Sequence, residues 1–204
     1  MKKLKLIILV LCLGIVSSAI CQEENDIFTR HEISIGHGVF PSTSHSFPHY
    51  KNYNFSKGDY IGSFYVAYTY KFNKVIGIGA TFAYDPNYYS IENTDKQTIS
   101  RVRENVFSGV FHLKINWVRT KLVTMYSKVG MGFFYPATKI ENFQPDTYEI
   151  TEGETDFSVV MFSAVPVGIE IGTKQYAGFL QVGYGMEGLF SIGFRYGIHK
   201  TYKK

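Results

Sequence analysis

The sequence predicts an all-β chain, an eight-stranded antiparallel up-and-down transmembrane β-barrel preceded by a cleaved signal peptide. Three observations carry that expectation. From residue 31 onward, apolar and polar residues alternate with period two in eight segments. The composition, 16 Tyr, 17 Phe and 19 Gly against 6 Pro, favours strands with tight turns over helices. The connections between segments alternate between short and long, as in barrels with short periplasmic turns and long external loops.

The first element is the N-terminal segment. Lys2, Lys3 and Lys5 precede an apolar run from Leu6 to Val16, then Ser17, Ser18 and Ala19, the order of a secretory signal peptide. The run is about half of the roughly 20 residues a spanning helix needs. Cleavage is expected after Cys21, giving a signal peptide over 1–21 and a single barrel domain over 22–204. The rival reading is a lipidated Cys21, but Ile20 stands where that signal wants Gly, Ala or Ser. Both cysteines, Cys12 and Cys21, fall in the removed segment, which excludes a disulfide scaffold and a thiol nucleophile. Removing three lysines turns 21 bases against 17 acids into 18 against 17. Nothing in that balance favours a nucleic-acid partner.

The strands follow. Strand one is 31–40, with Ile33, Ile35, His37 and Val39 in one phase; the histidine is out of character there. Strand two, 60–72, sets Phe64, Val66, Tyr68, Tyr70 and Phe72 against Ser63, Ala67, Thr69 and Lys71. Strand three, 75–84, sets Ile76, Ile78, Phe82 and Tyr84 against Gly77, Gly79 and Thr81. Strand four, 101–117, sets Phe107, Phe111, Leu113 and Ile115 against Ser108, His112, Lys114 and Asn116. Strand five, 121–135, sets Val129, Met131 and Phe133 against Tyr126, Lys128 and Gly130. Strands six to eight are 157–171, 175–185 and 188–198. Turns lie at 73–74, 118–120 and 172–174, with a further short one at Met186-Glu187. The long polar connections are 41–59, 85–100 and 136–156.

One face of each strand is apolar, and the other mixes small and polar residues with a few charges. The small-and-polar face suits the filled lumen of a narrow eight-stranded barrel. The apolar face then meets lipid. Aromatics near the strand ends form two expected interfacial girdles. Phe72, Trp117 and Tyr196 stand on the turn side, and Tyr60, Tyr84 and Tyr135 on the loop side. Closure is required because unpaired backbone in hydrocarbon costs several kcal/mol per group.

By phase, the lumen receives Glu32, Lys71, Glu104, Lys114, Lys128, Glu170 and Arg195, together with His112 and Gln181. Balanced charge in a narrow lumen reads as an internal polar network, against the rival readings of a gated pore or a catalytic site. In VPVGIEIG (165–172), Val165, Val167, Ile169 and Ile171 are expected to face lipid. Pro166, Gly168 and Glu170 are expected inside, with Lys71, Lys114 or Arg195 as partner to the acid.

The chain resembles the small outer-membrane β-barrels of the OmpX-like and OmpA-like kind, especially the version common in Bacteroidetes-type bacteria. The resemblance rests on YVAYTYKFNKVIGIGATFAY (65–84), YSKVGMGFFY (126–135), VPVGIEIG, VGYG (182–185) and FSIGFRYGI (190–198), and covers nearly all of 31–198. It implies a bacterial outer-membrane location, a lipid and lipopolysaccharide environment, and insertion by the barrel assembly machinery. Such barrels often end on an aromatic residue; this chain continues as HKTYKK after Ile198, leaving Tyr196 or Tyr202 as that signal.

Three motifs invite chemistry. GYGMEG (183–188) matches a dinucleotide fingerprint, but a strand follows it where that motif needs a helix. His45, Ser46 and His49 of HSFPHY could supply a lipid-hydrolase triad or capture a metal. A mobile loop holds such geometry poorly. Asn54-Phe55-Ser56 is a glycosylation pattern with little meaning on a bacterial surface. The expected function is therefore a non-enzymatic outer-membrane barrel with no cofactor, metal or catalytic residues. Its loops would engage an extracellular or envelope protein partner or support envelope integrity. The alternatives are a lipid A or phospholipid-modifying enzyme and a narrow porin-like channel.

Overall fold

The computed structural model describes residues 29–42, 54–92, 98–142 and 160–198. The signal segment, its cleavage point, Cys21, the loop histidines His45 and His49, and Tyr202 lie outside them.

Nine strands form: β1 (His31–Val39), β2 (Asn54–Tyr60), β3 (Ser63–Lys71), β4 (Ile76–Glu92), β5 (Thr98–Arg119), β6 (Val123–Asn142), β7 (Val160–Gly172), β8 (Tyr176–Tyr184) and β9 (Phe190–Ile198). Every pairing is antiparallel, from β1 through β3, β4, β5, β6, β7 and β8 to β9. The β9–β1 pairing closes the ring. The closed ring has eight strands, because β2 is not a ring member: it pairs only with the far half of β4, from Asn87 to Glu92. Closure satisfies every backbone edge that would otherwise meet hydrocarbon.

Ring membership follows the eight expected segments, but three strands run further. β4, β5 and β6 continue to residues 92, 98 and 142 through stretches expected to be loop. A strand leaving the bilayer no longer needs an apolar face, so its period-two signal fades while its hydrogen bonds continue. The segment expected as one strand over 60–72 is instead interrupted at Ile61-Gly62, where Gly62 has φ +92°.

The outer face carries Ile35, Val66, Ile78, Phe111, Val129, Phe162, Leu180 and Ile192, all exposed. Phe82 and Phe111 expose 67% and 69% of their surface. Such a continuous apolar band is untenable in water and is what a bilayer requires. His37 also faces outward, near the loop end of β1. Its Nε2–H donates to Ile61 O (2.8 Å), and its ring meets Phe64 edge-on at 4.7 Å. Its polarity is thus satisfied locally.

One expected phase is corrected. Val165 is buried in the lumen and Pro166 is exposed, the reverse of the alternation expected there. β7 carries one extra residue between its Lys128 and Tyr126 partners, and its pairing with β8 shifts at the same place. Proline has no N–H to give to a ladder, so the strand bulges around it and flips the phase. Val167, Gly168 and Glu170 keep their expected directions because the bulge ends before them.

Candidate functional site

The lumen holds the chain's chemistry in two tiers. At the turn end, Glu32 on β1 lies 2.6 Å from Lys71 Nζ on β3, 3.3 Å from Lys114 Nζ on β5 and 3.4 Å from Arg195 Nη1 on β9. Glu170 on β7 lies 2.5 Å from Lys114. Arg195 Nε approaches Glu170 at 3.1 Å as an ion pair without hydrogen-bond alignment. The guanidinium also donates to the carbonyls of Lys174 and Thr173, at 2.7 and 2.9 Å, tying the β7–β8 turn to the barrel floor. Two acids and three bases, each from a different strand, therefore interlock. Lys114 reaches the next tier by standing 4.3 Å over the Tyr126 ring.

The second tier lies toward the loops. The Tyr126 hydroxyl donates to Gln181 Oε1 (2.8 Å), and the Gln181 amide donates to the Tyr65 hydroxyl (3.2 Å) and to Glu187. Lys128 Nζ donates to both Glu187 oxygens at 2.7 and 2.5 Å. The Thr81 hydroxyl donates to Glu187 Oε1 at 3.0 Å. His112 sits between Thr69 (3.1 Å from Nε2) and Thr81 (3.2 Å from Nδ1). Because the Thr81 proton goes to Glu187, a neutral His112 ring carries its hydrogen on Nδ1 and accepts from Thr69.

Glu187 is the residue sequence reasoning missed, read as part of a simple turn. It belongs to a loop, 185–189, that folds into the mouth as a plug. Met186 is 1% exposed, and its carbonyl accepts from Ser63 Oγ at 2.7 Å. Gly188, at φ +87°, donates back to Gly185 O, and Leu189 N donates to Val39 O. Gly38 makes room for it: a Cβ there would stand 1.8 Å from Glu187 O. Strand phase alone does not point to Glu187, because the adjacent strands carry the inward acids Glu104 and Glu170; the register does, since Lys128 stands opposite Lys114 and Val165 and level with no acid. A buried base calls for one.

Among the other expected interior residues, Glu104 stands apart from both tiers. It faces inward at the loop end of β5, opposite Asn87 and near Asp85, above the aromatic level of Tyr84, Phe107 and Tyr135. It is thus outside the membrane-spanning part. Burial, reinforced by the charge of Asp85, pushes its carboxyl up to about 7.

Of the aromatics expected in the girdles, Phe72, Trp117 and Tyr196 lie toward the ends of their strands or just past them, and Tyr84 and Tyr135 lie within the longer β4 and β6. Phe72 and Tyr135 are exposed; Tyr84, Trp117 and Tyr196 are half-buried. Tyr84 packs on Phe107 at 5.3 Å, Tyr176 on Tyr196 at 5.3 Å and Phe72 on Tyr70 at 5.4 Å. Tyr60 ends β2 above the loop-side rim; its side chain lies outside the described set.

Chemically, this interior is occupied by its own partners. A cavity of about 20 Å³ remains between the tiers, lined by Tyr65, His112, Lys114, Tyr126, Lys128 and Gln181. That is room for about one water. The nearest approach to a nucleophile and base among the described lumen residues is Thr69, whose hydroxyl donates to His112 Nε2 at 3.1 Å, but both are buried and Nδ1 of that ring faces Thr81 at 3.2 Å, a hydroxyl and not an acid that would orient a base.

No protein-family model matches the sequence, and no curated protein matches it. Among solved structures the chain is similar to the attachment invasion locus protein Ail of Yersinia pestis, at 15% identity and a TM-score of 0.43. That match covers 82% of this chain and 94% of the other. It is also similar to the outer membrane protein OprG of Pseudomonas aeruginosa, at 10% identity and a TM-score of 0.47, over 86% and 100% of the two chains. The membrane assignment itself rests on the closed strand ring and its apolar outer face. The chain is a small transmembrane β-barrel.

Proposed function

We propose that this barrel is a non-enzymatic surface protein whose work is done at the loop end, by engaging an extracellular or envelope protein partner or by supporting envelope integrity. The observation that carries the reading is strand length. A spanning strand needs about 9–11 residues, whereas β4, β5 and β6 have 17, 22 and 20. Their surplus, joined by β2, carries a paired sheet on the order of 20 Å past the hydrocarbon. Ordered backbone held that far from the membrane is a platform for contact. The interior points the same way, since its acids and bases are paired with one another and the cavity between the tiers has room for about one water.

The experiment is a loop exchange. Replacing 87–103 and 136–159 by short turns should abolish binding to cells or envelope partners while leaving a folded barrel. Unchanged binding would overturn the reading. The enzyme alternative predicts an altered lipid A profile by mass spectrometry in a strain lacking the gene. The channel alternative predicts steady conductance in planar bilayers. The proposed environment includes lipopolysaccharide and insertion by the barrel assembly machinery. The finer kinship, with Bacteroidetes-type barrels, rests on the glycine- and aromatic-spaced strands 126–135 and 190–198.

A further inference from the structure

The two ends of this barrel differ in charge. At the turn end, the connections 72–75, 119–122 and 172–175, with Arg30 just before β1, contribute Lys74, Arg119, Lys121, Lys174 and Arg30, and no acid. Arg30, Lys121 and Lys174 are exposed, and Arg119 is half-buried. The chain beyond the described strands at that end does not change the sign. Residues 22–28 carry three acids and 199–204 carry three bases. At the opposite end the sequence of the connections, 40–59, 85–104, 136–159 and 185–189, holds six bases against twelve acids.

The bases also stand at a defined depth. Trp117 precedes Arg119 by two residues. Tyr176 follows Lys174 by two, and Phe72 precedes Lys74 by two. Aromatic side chains at a strand end mark the headgroup level, and bases just past them reach into the phosphate layer. The apolar Leu122, 62% exposed, sits beside Lys121 at the same rim. A ring of like charge at that depth attracts anions that are themselves confined to the membrane surface.

We infer that the turn-side rim is a binding surface for anionic phospholipid headgroups, with Arg119, Lys121 and Lys174 as its principal contacts. The rim selects the lipids of the leaflet facing the turns, and the sign of charge in the connections differs between the two ends of the barrel.

Trp117 is the chain's single tryptophan and stands at this rim, so its fluorescence reads the neighbouring lipid. The full chain is folded into phosphatidylcholine vesicles containing either brominated phosphatidylglycerol or brominated phosphatidylcholine at equal mole fraction. Quenching by the brominated anionic lipid should exceed that by the zwitterionic one by about two- to fivefold in apparent lipid affinity at low salt. The preference should fall toward unity in about 1 M salt, where the screening length is about 3 Å. The variant Arg119→Gln, Lys121→Gln, Lys174→Gln should lose the preference while retaining its heat-shifted gel mobility. Equal quenching by the two lipids in the unmodified chain would overturn the inference, as would a preference indifferent to salt. The salt titration needs no variant, so the test stands even if the triple substitution folds poorly.

Discussion

Glu170 and Glu187 are acids whose removal leaves a buried base behind, and each holds a different tier. Glu170→Gln takes from Lys114 its 2.5 Å partner and leaves Glu32 to balance three bases. Breaking one side of a buried pair costs about 3–5 kcal/mol. The variant should unfold at lower denaturant in lipid vesicles by that order, with no gain of lipid-processing activity. Glu187→Gln strands Lys128 and should cost about 3 kcal/mol for the same reason. The double variant Lys128→Met, Glu187→Met should recover most of it, because no charge then lies unpaired. Glu104 behaves in the opposite sense. Its folded-state pKa of about 7 lies above the 4.5 of an unperturbed carboxyl. Between those values the folded chain binds the extra proton, so stability is highest in acid and falls as pH rises through that window. Unfolding measured at pH 5 and pH 8 should differ by about 1–3 kcal/mol from this group, and Glu104→Gln should remove the difference. The partners of Glu170 were narrowed by phase alone to three bases. Lys114 and Arg195 lie against it, and Lys71 goes to Glu32. Sequence phase says which face a residue takes, but only the stagger of a closed ring says which heights meet.

At the scale of the strand, β5 offers the sharpest contrast. Phe111 is exposed at mid-strand, and its neighbours Val110 and His112 are buried. Phe111→Arg should cost about 2–4 kcal/mol at the bilayer midplane, read as a drop in folding stability in vesicles. The same change at Tyr135, near the interface, should cost about 0–1 kcal/mol. The bulge in β7 supplies a second strand-level test. Pro166→Val restores the missing N–H and should let an alternative register compete, broadening the amide spectrum of β7 and β8. The membrane-embedded halves of the strands were legible because lipid on one side and a packed lumen on the other impose strict alternation. The parts past residues 84, 101 and 135 were not, because water accepts polar residues on both faces. The bulge was half-legible: a proline inside a strand signals one, but which residue flips is settled by the pairing with β6 and β8. The plug loop was legible only as glycines, since its fold depends on Gly38 across the barrel.

The whole molecule is inside out by the standards of a water-soluble domain. Its buried charged groups share the core with Tyr65, Val110, Met161, Phe179 and Met186, and most of its large apolar side chains form the surface. Buried ion pairs that join six of the eight ring strands, β1, β3, β5, β6, β7 and β9, and the plug between β8 and β9 make opening cooperative. The folded chain should therefore migrate differently on a gel before and after boiling. The most direct test of this arrangement is a nitroxide scan along β5, one label at a time from 106 to 116, in lipid vesicles. Access to lipid-soluble oxygen should alternate with period two, high at 107, 109, 111, 113 and 115 and low between them. Labels on the other phase should also be closed to a water-soluble nickel chelate. A scan without alternation, or one in which the 111 label is open to the chelate and closed to oxygen, would contradict it.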